Sequence, residues 1–271
     1  EFRRVLFRSD MLSSGLVWLQ YVNYVVLDEA DRMLDMGFEE DLIKIHNELS
    51  GNHQTLLFSA TLFPEIKKMA KRYAATYEEI IIGKPTSIAK TVDHVLVNIN
   101  YKDRFQALRH FIFNHRGKMI VFFNTIKETD LYNQKLRRSG IRRVDCIHSK
   151  RDQDTRERLI QDFRSNKISV LLASDVAARG IDIPNVELVI NFDLPNNSEE
   201  YIHRVGRTGR AGKLGMAISF YHKTDVKDDK KLKSIEKLIK GKIRSIKNYK
   251  DLLPNHSKRP FKTHSKKQNS H

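Results

Sequence analysis

The chain has 271 residues, 40% hydrophobic and 30% charged, with a formal charge of +16. That length suits one large or two small domains with ample core, and the composition is that of an ordinary globular protein. The excess of Lys and Arg favours a polyanionic partner, with RNA, DNA and an anionic membrane surface as candidates. No apolar run reaches the length of a membrane span, and no secretory pattern opens the chain. The single cysteine, Cys146, excludes an internal disulfide and fits a reducing cytoplasm.

Residues 1–9 resemble the translation of a sequencing-adaptor oligonucleotide and are set aside from fold reasoning. The other reading is a basic arm. Native sequence is then expected from Asp10. Residues 11–20 read as a short helix-and-loop approach. Residues 24–27, apolar and mostly β-branched, predict a buried parallel strand that stops at Asp28, Glu29 and Asp31. Phe38, Leu42, Ile45 and Leu49 recur at helical spacing and face a core. Residues 55–58 predict a second strand. Pro64 suits a first helical turn, and Ile66, Met69, Ala70 and Tyr73 form the apolar stripe of the helix behind it. A third strand is expected at 80–82, ending at Gly83.

Residues 84–91 carry turn formers and read as a linker between a first domain, 10–83, and a second, 92–223. Val95, Val97 and Ile99 alternate as in a half-buried strand. Apolar runs at 119–123, 144–147, 170–173, 188–192 and 216–220 have strand length, with helix-period segments such as Leu159, Ile160 and Phe163 between them. Such alternation predicts parallel strands with crossover helices, a doubly wound α/β sheet. Residues 224–271 read as one amphipathic helix, carrying Leu232, Ile235, Leu238 and Ile239, and then, from about Lys258, a basic tail too polar to fold. His256, His264 and His271 lack metal-site spacing.

Ligands of open α/β sheets gather at the carboxyl ends of the strands. The polar residues here follow that rule: Asp28 and Glu29, Ser59 and Thr61, Asn124 and Thr125, His148 and Ser149, Ser174 and Asp175. Each pair alone is accounted for by turn chemistry; their joint placement on one edge points to a site. A carboxylate there suits a hard cation shared with phosphates, and a second orients an attacking water. The plainer reading is an acidic helix start favoured by the dipole.

Asp28-Glu29-Ala30-Asp31 and the later motifs resemble the DEAD-box RNA helicases, in order, from about Asp10 to Phe220. A compact core and short basic tail look more like a bacterial member than a eukaryotic one. The resemblance implies RecA-like domains, the first incomplete and the second complete, with ATP and Mg²⁺ as cofactors and RNA as partner. It implies that Asp28 holds Mg²⁺ through water, Glu29 positions the water attacking the γ-phosphate, and Asp31 couples to the second domain. Ser59 and Thr61 would link hydrolysis to strand separation. Thr125, Gln153, Arg156 and Ser174 would contact RNA, and Gly180 and Asp182 would bind ATP, Asp182 at the ribose. Within residues 201–210, His203, Arg207 and Arg210 would be catalytic, with both arginines reaching across the cleft to the transferring phosphoryl group. Two departures stand out: Ser149 where the family has Gly, and Ser174 where it has Thr.

A phosphate-cradling loop needs Gly-Lys-Ser or Gly-Lys-Thr before a helix. The Gly-Lys pairs at 83, 117, 212 and 241 are followed by Pro, Met, Leu and Ile. The chain therefore reads as a helicase cut upstream of its acidic motif, inactive in ATP hydrolysis by itself. Two other readings remain: a non-catalytic RNA-binding module, and a DNA helicase of a neighbouring family.

Overall fold

Short apolar runs bounded by polar turns set the strands, and the computed structural model describes residues 10–35, 37–59, 64–74, 76–82, 91–174, 186–210 and 212–252. The chain divides into two units, residues 1–87 and 88–271.

In the first unit β1 (Tyr24–Leu27) pairs in parallel with β2 (Gln54–Leu57), Leu27 opposite Leu57. Helices α1 (Ala30–Asp35), α2 (Glu39–Asn47) and α3 (Pro64–Tyr73) follow. Pro64 opens α3, where its missing N–H has no helical partner to lose. Val25, Leu27, Ala30, Leu42, Ile66, Met69 and Tyr73 form the core. The Tyr73 hydroxyl donates to the Leu42 carbonyl at 2.5 Å, and burial pushes its pKa up to about 12.

Two expectations need correction here. β1 is parallel but buried on one face only, with Tyr24 68% and Val26 53% exposed. No described helix covers that face. The strand expected at 80–82 does not form; Ile80, Ile81 and Ile82 are exposed, because an extended segment becomes a strand only beside a partner and it pairs with none among the described residues.

The second unit is a seven-stranded parallel sheet ordered β5-β6-β4-β7-β8-β3-β9. Its strands are β3 (Val92–Asn98), β4 (Met119–Phe123), β5 (Val144–Ile147), β6 (Val170–Ser174), β7 (Leu188–Asn191), β8 (Gly215–Tyr221) and β9 (Arg244–Ile246). Its helices are α4 (Arg104–Asn114), α5 (Ile126–Arg138), α6 (Gln153–Arg164), α7 (Ser198–Val205) and α8 (Val226–Leu238). Alternate residues of a strand point to opposite faces. Met119, Val121 and Phe123 meet Leu108, Phe111 and Leu136 of α4 and α5 on one side. Ile120 and Phe122 meet Leu159, Ile160 and Phe163 of α6 on the other. Tyr201 and Val205 of α7 pack with Ile235 of α8 beyond them on a third cluster. Both faces are covered, as in a doubly wound sheet.

β3 is therefore buried throughout its middle, Val95, Leu96 and Val97 alike, not half-buried as the alternation suggested. β9 was not foreseen. Three residues, Arg244–Ile246, carry too little pattern to read, and pairing with β3 alone makes them a strand.

Candidate functional site

In the first unit, the chain leaves β1 and must turn at once into α1. Glu29 makes that turn in the left-handed region, φ +53°, which a glutamate adopts only when its surroundings impose it. They do so through a clamp between strand ends. Phe58 N donates to the Leu27 carbonyl at 2.7 Å, and Ala30 N donates to the Phe58 carbonyl at 3.0 Å. Ala30 is wholly buried, so no larger side chain fits between the strands and α1. Glu29 N donates to Asp28 Oδ1 at 2.9 Å. Asp28 is exposed, Glu29 half-buried, and Ser59 half-buried at the end of β2. The strand ends thus hold Asp28, Glu29 and Ser59 on one edge. Asp31 is buried in α1. Thr61 lies outside the described residues.

In the second unit, Phe123 is opposite Ser174, and Ile147 opposite Ala173. Thr125, His148 and Ser174 therefore emerge from adjacent strands β4, β5 and β6 at the same edge. Thr125 caps α5: its hydroxyl accepts from Glu128 N at 3.2 Å and donates to Glu128 Oε2 at 2.7 Å. Asp152 caps α6 by accepting from Thr155 N at 2.7 Å, which holds its carboxyl below the usual range. Gln153 and Arg156 share the first turn of α6, and Arg156 Nη1 donates to Gln153 Oε1 at 3.2 Å. Ser149 stands outside the left-handed region, so the absence of glycine there imposes no backbone strain. The Ser174 hydroxyl is buried and has no hydrogen-bond partner among the described residues. Gly180 and Asp182 lie outside them.

Residues 201–210 bend from α7 toward β8. His203 and Arg207 are half-buried; Arg210 is exposed, its Nε donating to the Gly206 carbonyl at 2.6 Å. Gly209, φ +69°, packs its backbone on β3, and a Cβ there would meet Val92 Cγ2 at 2.4 Å. This glycine answers to packing against the sheet.

Arg204, to which the sequence assigned no role, is the structural centre of this segment. Only 2% exposed, it donates to the Asp193 carbonyl and to Asn124 Oδ1, both at 2.8 Å, and to Asn191 Oδ1 at 3.4 Å. Arg104 grips the same corner, donating to Asp193 Oδ1 at 3.0 Å and Asp228 Oδ2 at 3.3 Å. Burial raises the Asp193 pKa, Glu128 adds to this, and Arg104 opposes it. Arg204 ties the ends of β4 and β7 together, and Arg104 ties the end of β7 to α8. A signal existed: Arg204 falls with Tyr201 and Val205 on the inward stripe of α7. Away from this edge, an open cavity of about 600 Å³ lined by Thr91, Asp93, His115 and Glu187 sits at the amino ends of β3, β7 and β8. None of the motif residues lines it.

Strand-end carboxylates in one unit, and strand-end hydroxyls with nearby arginines on a doubly wound sheet in the other, define an open α/β class of protein with polar residues gathered at its strand ends. Two family profiles match accordingly: the DEAD/DEAH box helicase over residues 5–69, and the helicase conserved C-terminal domain over residues 103–212. The chain belongs to the DEAD-box helicase family. It is 39% identical over 231 residues to the ATP-dependent RNA helicase p62 of Drosophila melanogaster, covering 82% of this chain and 32% of the relative. Against S. cerevisiae Dbp5 bound to RNA and ADP BeF3 it has a TM-score of 0.78 at 33% identity, covering 90% of this chain and 64% of that one. The C-terminal domain of Dbp5 matches over 60% of this chain and 94% of its own, with a TM-score of 0.55 and 33% identity. The chain spans about a third to two fifths of the first curated relatives it matches.

Proposed function

We propose that this chain is part of an ATP-dependent RNA helicase, in which RNA-stimulated ATP hydrolysis is coupled to local opening of RNA duplexes. The observation that carries the reading is the strained turn at Glu29, which sets two carboxylates at the end of a parallel strand beside Ser59. Strain of this kind persists where function requires the geometry.

The donor set fits Mg²⁺: Asp28 is exposed, Glu29 N takes one of its oxygens, and the other would accept from a hydrated cation. Bound Mg²⁺ would neutralise charge on the terminal phosphates. Glu29 would hold and orient the attacking water as general base. Arg207 and Arg210 would stabilise charge on the transferring phosphoryl group, a contribution of roughly 10³–10⁵ in rate in related systems. RNA would be held through its phosphates and 2′-hydroxyls by Thr125, Gln153, Arg156 and Ser174. The reading is supported by the RNA- and ADP BeF3-bound Dbp5 that the chain resembles.

Because no Gly-Lys-Ser or Gly-Lys-Thr occurs in the sequence, the chain alone is expected to hydrolyse ATP at the background rate, with or without RNA. Joined to an upstream segment that supplies such a loop, it should show RNA-stimulated hydrolysis, and Glu29→Gln should lower that rate about 10²–10⁴-fold. Steady-state phosphate release measures both. RNA-stimulated turnover by the chain alone, or a Glu29→Gln protein as fast as its parent, refutes the assignment.

A further inference from the structure

Three side chains at the β5 edge of the second unit converge in a way the helicase reading does not use. Asp130 on α5, Cys146 in β5 and His148 just after it each bring one donor atom within 4.8 Å of the others. His148 Nε2 lies 3.1 Å from Asp130 Oδ1, and Cys146 Sγ lies 3.4 Å from the same oxygen. Around a tetrahedral zinc-class ion, bonds of roughly 2.0–2.3 Å place neighbouring N, O and S donors roughly 3.3–3.5 Å apart. The 3.4 Å between Cys146 and Asp130 matches an edge of such a tetrahedron, and the 3.1 Å between His148 and Asp130 falls a little short of one.

We propose that Asp130, Cys146 and His148 form a binding site for a thiophilic divalent cation of the zinc class. A thiol, an imidazole and a carboxylate together select a borderline-soft ion over Mg²⁺ or Ca²⁺, which prefer all-oxygen shells. His148 Nδ1 is buried without a hydrogen-bond partner among the described residues, so Nε2 is the ring nitrogen turned to the cluster. Cys146 and His148 are buried, whereas Asp130 is 42% exposed on its side chain, which opens a path from solvent and leaves a fourth position for water.

A positive charge already stands at this spot. Arg151 Nη2 donates to Cys146 Sγ at 3.3 Å and lies 3.9 Å from Asp130 Oδ1. Its side chain is 37% exposed, so it can swing outward. Binding then forms the metal–sulfur bond, releases the thiol proton to the buffer, and breaks the Arg151 hydrogen bond. Arg151 lies between His148 and the α6 residues Gln153 and Arg156, so occupancy of the site would re-aim the segment entering α6.

Cobalt(II) titration of the whole chain tests this, because the sequence holds one cysteine and any thiolate-to-cobalt charge-transfer band reports on Cys146. The expected result is that band in the near ultraviolet, together with intense visible bands of tetrahedral cobalt, saturating at one ion per chain and bleached by added zinc. Cys146→Ser should abolish the charge-transfer band. Asp130→Asn should weaken cobalt binding at least about tenfold. Arg151→Ala should tighten it by removing the competing cation. Circular dichroism of each variant confirms folding, and the wild-type spectrum stands without them. A wild-type protein lacking the charge-transfer band, or cobalt held as tightly by Asp130→Asn, overturns the proposal. So does a purely octahedral spectrum that persists in Cys146→Ser, which would assign binding to other side chains.

Discussion

His94 and Arg104 show how far single buried groups set the stability of the second unit. His94 Nδ1 shares a hydrogen bond of 2.9 Å with the Tyr201 hydroxyl. Burial lowers its pKa from 6.5 to about 4, with Asp93 opposing. Between those values the folded protein binds fewer protons than the unfolded chain, so stability present above pH 6.5 is lost as pH falls toward 4. The loss approaches about 3 kcal/mol. Urea titrations across this range should show the decline, and His94→Gln should flatten it; an unchanged slope in that variant would assign the decline elsewhere. Arg104 is 3% exposed and bonded to both Asp193 and Asp228. Arg104→Ala leaves those carboxylates without their cation and should destabilise the unit by about 3 kcal/mol, read as a lower urea midpoint. A shift under about 1 kcal/mol would show that the pair has little net worth, as exposed pairs do.

Among the elements, the two-stranded sheet of β1 and β2 is the exposed one. Tyr24, Val26, Leu56 and Phe58 all lie open, and neither outer edge is paired among the described residues. Such a surface invites strand pairing and apolar contact between chains. The chain should self-associate in sedimentation velocity, and Val26→Thr with Phe58→Thr should shift it toward monomer. A monodisperse wild-type monomer would count against this. The sequence showed the apolar run of β1 plainly but not that half of it stays uncovered, because burial depends on what packs above a strand. The same limit explains residues 80–82, where β-branched composition met no partner, and β9, where a partner made a strand of residues without the composition. Helix positions read better. Ile66, Met69 and Tyr73 were legible in α3, and Leu159, Ile160 and Phe163 in α6, because a helix fixes its own periodicity.

At the scale of the whole molecule, the doubly wound sheet and the edge carrying the motifs were legible from strand-length runs ending in polar residues. What hid was the role of each motif residue. Thr125 and Asp152 are engaged in helix caps, Gly209 packs on a strand, and Arg204 braces a corner, so part of a recognisable motif serves the scaffold. Ser174 differs from these, since its buried hydroxyl has no protein group to satisfy it among the described residues. A buried hydroxyl without a partner costs stability unless a ligand supplies one. RNA backbone binding at this edge is what the proposed function requires of the second unit. It is tested most directly by fluorescence anisotropy with a single-stranded RNA and its matching DNA, at low and high salt, using wild-type and Ser174→Ala protein. The account predicts tighter binding of RNA than of DNA, affinity falling steeply with salt, and an RNA affinity about tenfold weaker in Ser174→Ala whose urea midpoint is unchanged or higher. Equal affinity for RNA and DNA, together with an RNA affinity untouched by Ser174→Ala, would contradict it.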